Sequence, residues 1–196
     1  MESEELIFDL INRTQLNIEE AKKFYSFPSD LNFRFGHGSW SILECMEHLN
    51  LYGDYYIPAI KMAIESSNSY PVSYFKSGLM GNYFALKMLP NENIKKMKTF
   101  KDKNPLNANL NENTLSRFVA QQEQLLILLD SSKKENLNKI YIPVSFSRLV
   151  KLKLGDTFRF VIYHNERHIE QANKIAKAIN STKDIMTSYI TVTENG

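Results

Sequence analysis

Two histidines four residues apart and a third far upstream are the residues of this chain best suited to chemistry. His164 and His168 stand in HNERH, and a four-residue spacing puts both rings on one helix face, one turn apart. The face they share also carries Val161, Gln171, Ala172 and Ile175, so the pair is expected to point inward. His48 occupies a corresponding apolar stripe between Cys45 and Tyr52, where a third ring can meet the pair. A neutral imidazole offers one acceptor nitrogen to a divalent ion, and rings at i and i+4 can share one ion without distorting their helix. Three such ligands leave coordination positions open to water or substrate, as in a catalytic metal site. HxxxH alone arises by chance; the additional interior histidine gives the pattern its weight. His37, in FGHGS, reads as an exposed loop residue.

Other side chains near these three carry two readings each. Glu44 lies four residues before His48, and Glu166 lies between His164 and His168. Either carboxylate can orient a histidine or accept a proton, against the plainer alternative of a solvated helix glutamate. Cys45 is read as a buried free thiol, with a fourth metal ligand or a thiolate nucleophile as the alternative. Tyr52, Tyr55 and Tyr163 are read as packing residues, and Arg167 as a surface partner of Glu166 or Glu170. The run Lys95, Lys96, Lys98, Lys101 and Lys103 is read as a solvated loop, with attraction of an anionic substrate as the alternative.

These residues need elements to position them. A chain of 196 residues with 43% hydrophobic content is expected to form one domain with a sizeable core. Seven glycines and six prolines, with helical periodicity in the stretches free of both, place it in the all-α class. Helices are expected over residues 4–27, ended by Pro28, and over 41–66, with Ser41 and Glu44 as a capping box and a kink at Pro58. Residues 67–111 read as a long crossover with a short helix over 84–88. A third helix starts at residue 113 or 114 and stops before Asn136. A fourth starts near Asp156, read as its cap, and runs to about residue 180. The expected division is a single domain over 1–180 and a C-terminal extension over 181–196, with no element assigned to IYIPVSFSRLVKLK.

Charge and composition narrow the classes of partner. Twenty-four basic against 22 acidic side chains give a formal charge of +2, too balanced for the phosphate-neutralising field of a nucleic-acid binder. The acidic start MESEELIFDL lacks the marks of a signal peptide. No run approaches the roughly 18 apolar residues of a membrane span. One cysteine allows no internal disulfide. The expected location is the cytoplasm, without nucleic-acid or membrane partners.

The segments GSWSILECMEHL, KKMKTFKDKNP and LGDTFRFVIYHNERHIEQANKI together resemble the DinB-like superfamily, which includes the YfiT-type metal-dependent hydrolases, over nearly the whole chain. The resemblance implies a four-helix bundle of DinB-like type with a long crossover between helices two and three. It also implies a divalent metal, nickel or zinc, held by His48, His164 and His168; iron and manganese also accept imidazole. Arg167 and Gln171, in RHIEQ, match the family's style. The chemistry implied is thiol S-transfer or hydrolysis on a small electrophilic substrate, with a low-molecular-weight thiol such as bacillithiol or mycothiol as cosubstrate and a homodimer as an expected assembly. The alternative is a non-catalytic, stress-related or interaction protein that keeps the bundle and the metal site.

Overall fold

The computed structural model describes residues 1–27, 30–90 and 99–194, with backbone alone over 184–194. Pro28, Lys95, Lys96 and Lys98, singled out above, lie outside the described residues. Helix α1 spans Ser3–Lys23 and continues into a 3-10 turn, Phe24–Ser26. It buries Leu6, Ile7, Leu10, Ile18 and Ala21, the spacing of a single core-facing stripe. Helix α2, Ile42–Glu65, starts at the expected capping box: the Glu44 N–H donates to Ser41 Oγ at 3.2 Å, and the Ser41 N–H donates to Glu44 Oε2 at 2.8 Å. It runs through Pro58 as one helix. Helix α3 spans Leu79–Met88, longer than the 84–88 expected, and α4 spans Asn113–Ser132.

The expectation of an all-α fold is corrected by a β-hairpin. Strands β1, Tyr141–Val144, and β2, Ser147–Lys153, pair antiparallel with Tyr141 opposite Lys153 and Ile142 opposite Leu152. Ile140, Ile142 and Val144 are buried while Tyr141 is exposed, the period-two alternation of a half-buried strand. Pro143 weakens that signal in the sequence; it is tolerated because every strand of a two-stranded sheet is an edge.

Helix α5 spans Leu154–Glu194, so the segment after residue 180 continues the helix. Asp156 is not its cap. The first N–H groups of α5 are taken by main-chain carbonyls, Leu154 to Ile140 at 2.8 Å and Gly155 to Leu137 at 3.3 Å, which leaves Asp156 free for other partners. Its buried carboxylate accepts from the Gly78 N–H at 2.8 Å, from the Ser77 hydroxyl and from Arg159 at 3.2 Å, tying the start of α3 to the start of α5. Gly81 is required there, because a Cβ at that position would collide with the Asp156 carboxylate.

The fold is therefore predominantly helical with one small sheet. Helix α2 packs against α4 and α5, α1 packs against the same two, and α3 lies on α5. Their apolar side chains form two clusters. One gathers Leu6, Leu10, Tyr56, Phe158 and Phe160 with the hairpin; the other gathers Phe24, Leu43, Leu49, Phe118 and Ile169. On α2 the change of cluster falls between Leu49 and Tyr52, and on α5 between Tyr163 and Ile169. Buried polar residues fill that boundary: Thr14, Asn17, His48, Asn50, Gln121, Gln122, His164 and Asn165. Among the described residues no helix is long and apolar enough to cross a membrane.

Candidate metal centre

The polar layer brings together the three histidines marked in the sequence. His48 comes from α2, His164 and His168 from α5, and one ring nitrogen of each lies within 4.8 Å of the other two. His48 and His164 are buried and His168 nearly so. Two neighbours decide which nitrogen faces inward. His48 Nδ1 lies 2.6 Å from the Lys103 carbonyl; a carbonyl only accepts, so Nδ1 carries the proton and Nε2 keeps its lone pair. His168 Nδ1 lies 3.0 Å from Gln171 Oε1, which fixes the same tautomer. His48 Nε2 then faces His164 Nε2 at 3.1 Å.

Burial keeps these rings neutral. Desolvation pushes His48 down to about 4, the Lys103 carbonyl bond working against the shift and the Lys103 charge with it. Desolvation and the neighbouring His48 push His168 down to about 3, and burial followed by the charges of His168, His48 and Arg167 puts His164 well below its ordinary value. Neutral imidazole is the form that binds metal. The residues present fit a divalent ion: two lone pairs directed at a common centre, a third ring turned to it, and outer nitrogens already held.

Aromatic side chains enclose the group. Trp40, just ahead of the α2 cap, packs on His48 and His168 at 4.7 and 5.6 Å between ring centres. Tyr52 lies 4.5 Å from His164 and 5.1 Å from His48, and Phe160 stacks on His164 at 6.0 Å. Burial pushes the Tyr52 hydroxyl up to about 12, so it is a donor at neutral pH. The segment before α4 closes over the start of α2: Lys101–Lys103 forms a 3-10 turn, Trp40 Nε1 donates to Asn104 Oδ1 at 3.2 Å, and the Asn107 N–H donates to Glu44 Oε1 at 2.6 Å. Reading residues 67–111 as an irregular crossover hid Lys103 as a site residue, because a main-chain carbonyl leaves no mark in the side-chain pattern.

The two carboxylates singled out from the sequence are not brought to the histidines. Glu44 is fully buried and receives Arg34 through two hydrogen bonds of 2.7 Å, besides the Ser41 and Asn107 N–H groups. Burial opposes its ionisation, but these donors outweigh burial and hold it below the usual carboxylate range. Glu166 turns to α1, where Arg13 donates to both its oxygens at 3.0 Å, and burial raises it despite that pair. The atoms that meet ring nitrogens of His48 and His168 are instead the Lys103 carbonyl and Gln171 Oε1. Cys45 is buried in the apolar cluster around Phe118, and desolvation raises its thiol far above the usual value. His37 is exposed. Tyr55 donates to the Pro143 carbonyl at 3.3 Å, and Tyr163 is buried with the guanidinium carbons of Arg13 and Arg159 5.1 and 5.9 Å from its ring centre. Arg167 is buried rather than at the surface; Glu166 pairs with Arg13, and Glu170 lies 3.5 Å from Lys174.

The family model of the DinB superfamily matches residues 26–172, a span that holds all three histidines, Trp40, Lys103 and Gln171. The chain belongs to the DinB superfamily. No curated protein and no solved structure matches it. Membership of the DinB superfamily and the convergence of its three histidines are compatible with a metal site.

Proposed function

We propose that this DinB-superfamily protein holds a divalent metal ion, nickel or zinc, at His48, His164 and His168 and serves thiol S-transfer or hydrolysis on a small electrophilic substrate. The observation that carries the reading is the pair of Nε2 atoms 3.1 Å apart. Two imidazole nitrogens so close require either an N–H donated by His164 to the unprotonated His48 Nε2 or a cation between them, and the approach of a His168 nitrogen to the same pair favours the cation. On this reading α1, α2, α4 and α5 are the four helices of a DinB-type bundle, and residues 67–111 are its crossover.

Such an ion, bound by three neutral imidazoles, supplies Lewis acidity at an open coordination position and lowers the pKa of a bound water or thiol. The chain's own residues do the rest. The Lys103 carbonyl and Gln171 hold two ligand rings in the productive tautomer. Trp40, Tyr52 and Phe160 exclude bulk water and strengthen electrostatic interactions at the centre. Tyr52 can donate a hydrogen bond to a substrate oxygen. We assign Glu44 and Glu166 to the ion pairs that hold the segment over α2 and join α1 to α5.

That assignment also supports a second reading, a non-catalytic binding or interaction protein, since no proton-accepting carboxylate among the described residues adjoins the histidines. Titration calorimetry with zinc or nickel tests the shared premise. His168→Ala is expected to weaken binding by about 100-fold or more, beyond the loss typical of an outer partner, with helical content retained. His37→Ala is expected to bind as the natural protein does; equal affinities in the two variants reject the ligand set. Turnover of activated esters, or of electrophiles with added thiols, by metal-loaded protein separates the enzyme from the binding protein.

A further inference from the structure

Lys103 contributes its carbonyl to His48, but its side chain has no part in the metal reading. That side chain is only 15% exposed, whereas lysine ordinarily carries its ammonium to water. Among the described residues Nζ donates one hydrogen bond, to the Leu51 carbonyl at 3.1 Å, and lies 5.9 Å from the centre of the Tyr52 ring that packs on His48 and His164. Its ion pair with Asp102 is loose, 3.6 Å, and Asp102 is 71% exposed, so solvent screens it. An ammonium has three donors, which leaves room for a further acceptor.

Charge balance says what that acceptor is. A divalent ion on three neutral imidazoles keeps both its positive charges, and Lys103 adds another close by. Glu44 and Glu166 do not offset them, being committed to Arg34 and Arg13, and the walls are the rings of Trp40, Tyr52 and Phe160. Positive charge gathered in weakly screening surroundings is costly and favours anions from outside.

We propose that Lys103 forms an anion subsite beside the three-histidine centre and takes the carboxylate of a thiol whose sulfur occupies the open metal position. The substrate class is a carboxylate-bearing low-molecular-weight thiol, in preference to a neutral or cationic one. This rests on the metal reading above and narrows it.

The test uses cobalt-loaded full-length protein titrated with mercaptopropionate, mercaptoethanol and cysteamine, followed by sulfur-to-cobalt charge-transfer absorption. Mercaptopropionate is expected to bind roughly tenfold or more tighter than mercaptoethanol, the worth of one charge-assisted hydrogen bond, and cysteamine is expected to bind weakest. Lys103→Met is expected to erase the preference, read within the variant as the ratio of mercaptopropionate to mercaptoethanol affinity, so that any change in cobalt affinity cancels. Lys103→Arg is expected to keep it. Equal binding of the three thiols by the natural protein, absence of any thiol absorption, or a preference that survives in Lys103→Met overturns the subsite while leaving the metal reading intact. Failure to bind cobalt at all overturns both. If Lys103→Met does not fold, Lys103→Gln carries the same comparison, and a preference that survives in it overturns the subsite.

Discussion

His48, His164 and His168 are neutral because the protein removes them from water, and that has a cost visible in acid. In an unfolded chain imidazole titrates near 6.5, whereas His48 and His168 in the folded protein are lowered to about 4 and about 3. As pH falls the unfolded chain takes up protons first. The stability of metal-free protein is therefore full above about pH 6.5 and is lost as pH falls toward the folded values. Urea unfolding at pH 7.5, 6 and 5 is expected to show a falling midpoint, and a His48→Gln/His164→Gln double variant is expected to flatten the slope. An unchanged midpoint in the natural protein contradicts the neutral, buried assignment. His164, His168 and the inward face of α5 were legible in HNERH, and His48 in the apolar stripe between Cys45 and Tyr52. Their tautomers were not, because these depend on the Lys103 carbonyl and on the rotamer of Gln171.

The helices are positioned by polar joints as much as by apolar stripes. Asp156 and Arg159, both buried, join α5 to Ser77, Gly78 and Asn82 at the start of α3. Asp156→Ala removes the acceptor and leaves Arg159 buried without its carboxylate, a loss of about 3 kcal/mol. Thermal unfolding is expected to show that loss, with α3 amides exchanging faster than those of α2; a variant as stable as the natural protein rejects the joint. The capping box at Ser41 and Glu44 was readable because a cap is local: donor and acceptor are three residues apart. Asp156 looked like the same signal. It was not, since carbonyls from residues 137 and 140 reached the first turn of α5 instead, a contact made only when the chain before the hairpin folds back.

At the scale of the whole molecule the histidines lie in a polar layer between two apolar clusters. Binding an ion there adds stability by mass action, about 2.7 kcal/mol at a free metal concentration of 100 times Kd. For a chain of 196 residues that corresponds to a rise in Tm of roughly 5–10 °C. Differential scanning calorimetry with and without zinc is expected to show the rise, a chelator to reverse it, and His48→Ala to abolish it. An identical rise in His48→Ala places the ion elsewhere.

The sequence by itself determined the mainly helical class, the stripes that turn His48, His164 and His168 inward, and the start of α2, because periodicity and capping act over a few residues. The hairpin escaped it: short strands with a proline carry little periodic signal, and their alternation matters only once α2 and α5 offer a surface to cover. The partners of Glu44 and Glu166 were decided by tertiary structure alone. Both have the spacing of groups that could serve a histidine, yet Arg34 and Arg13 reach them first, from 10 and 153 residues away. A charged side chain buried in a fold goes to the counter-charge that satisfies it best, and that partner is known only when the helices are packed.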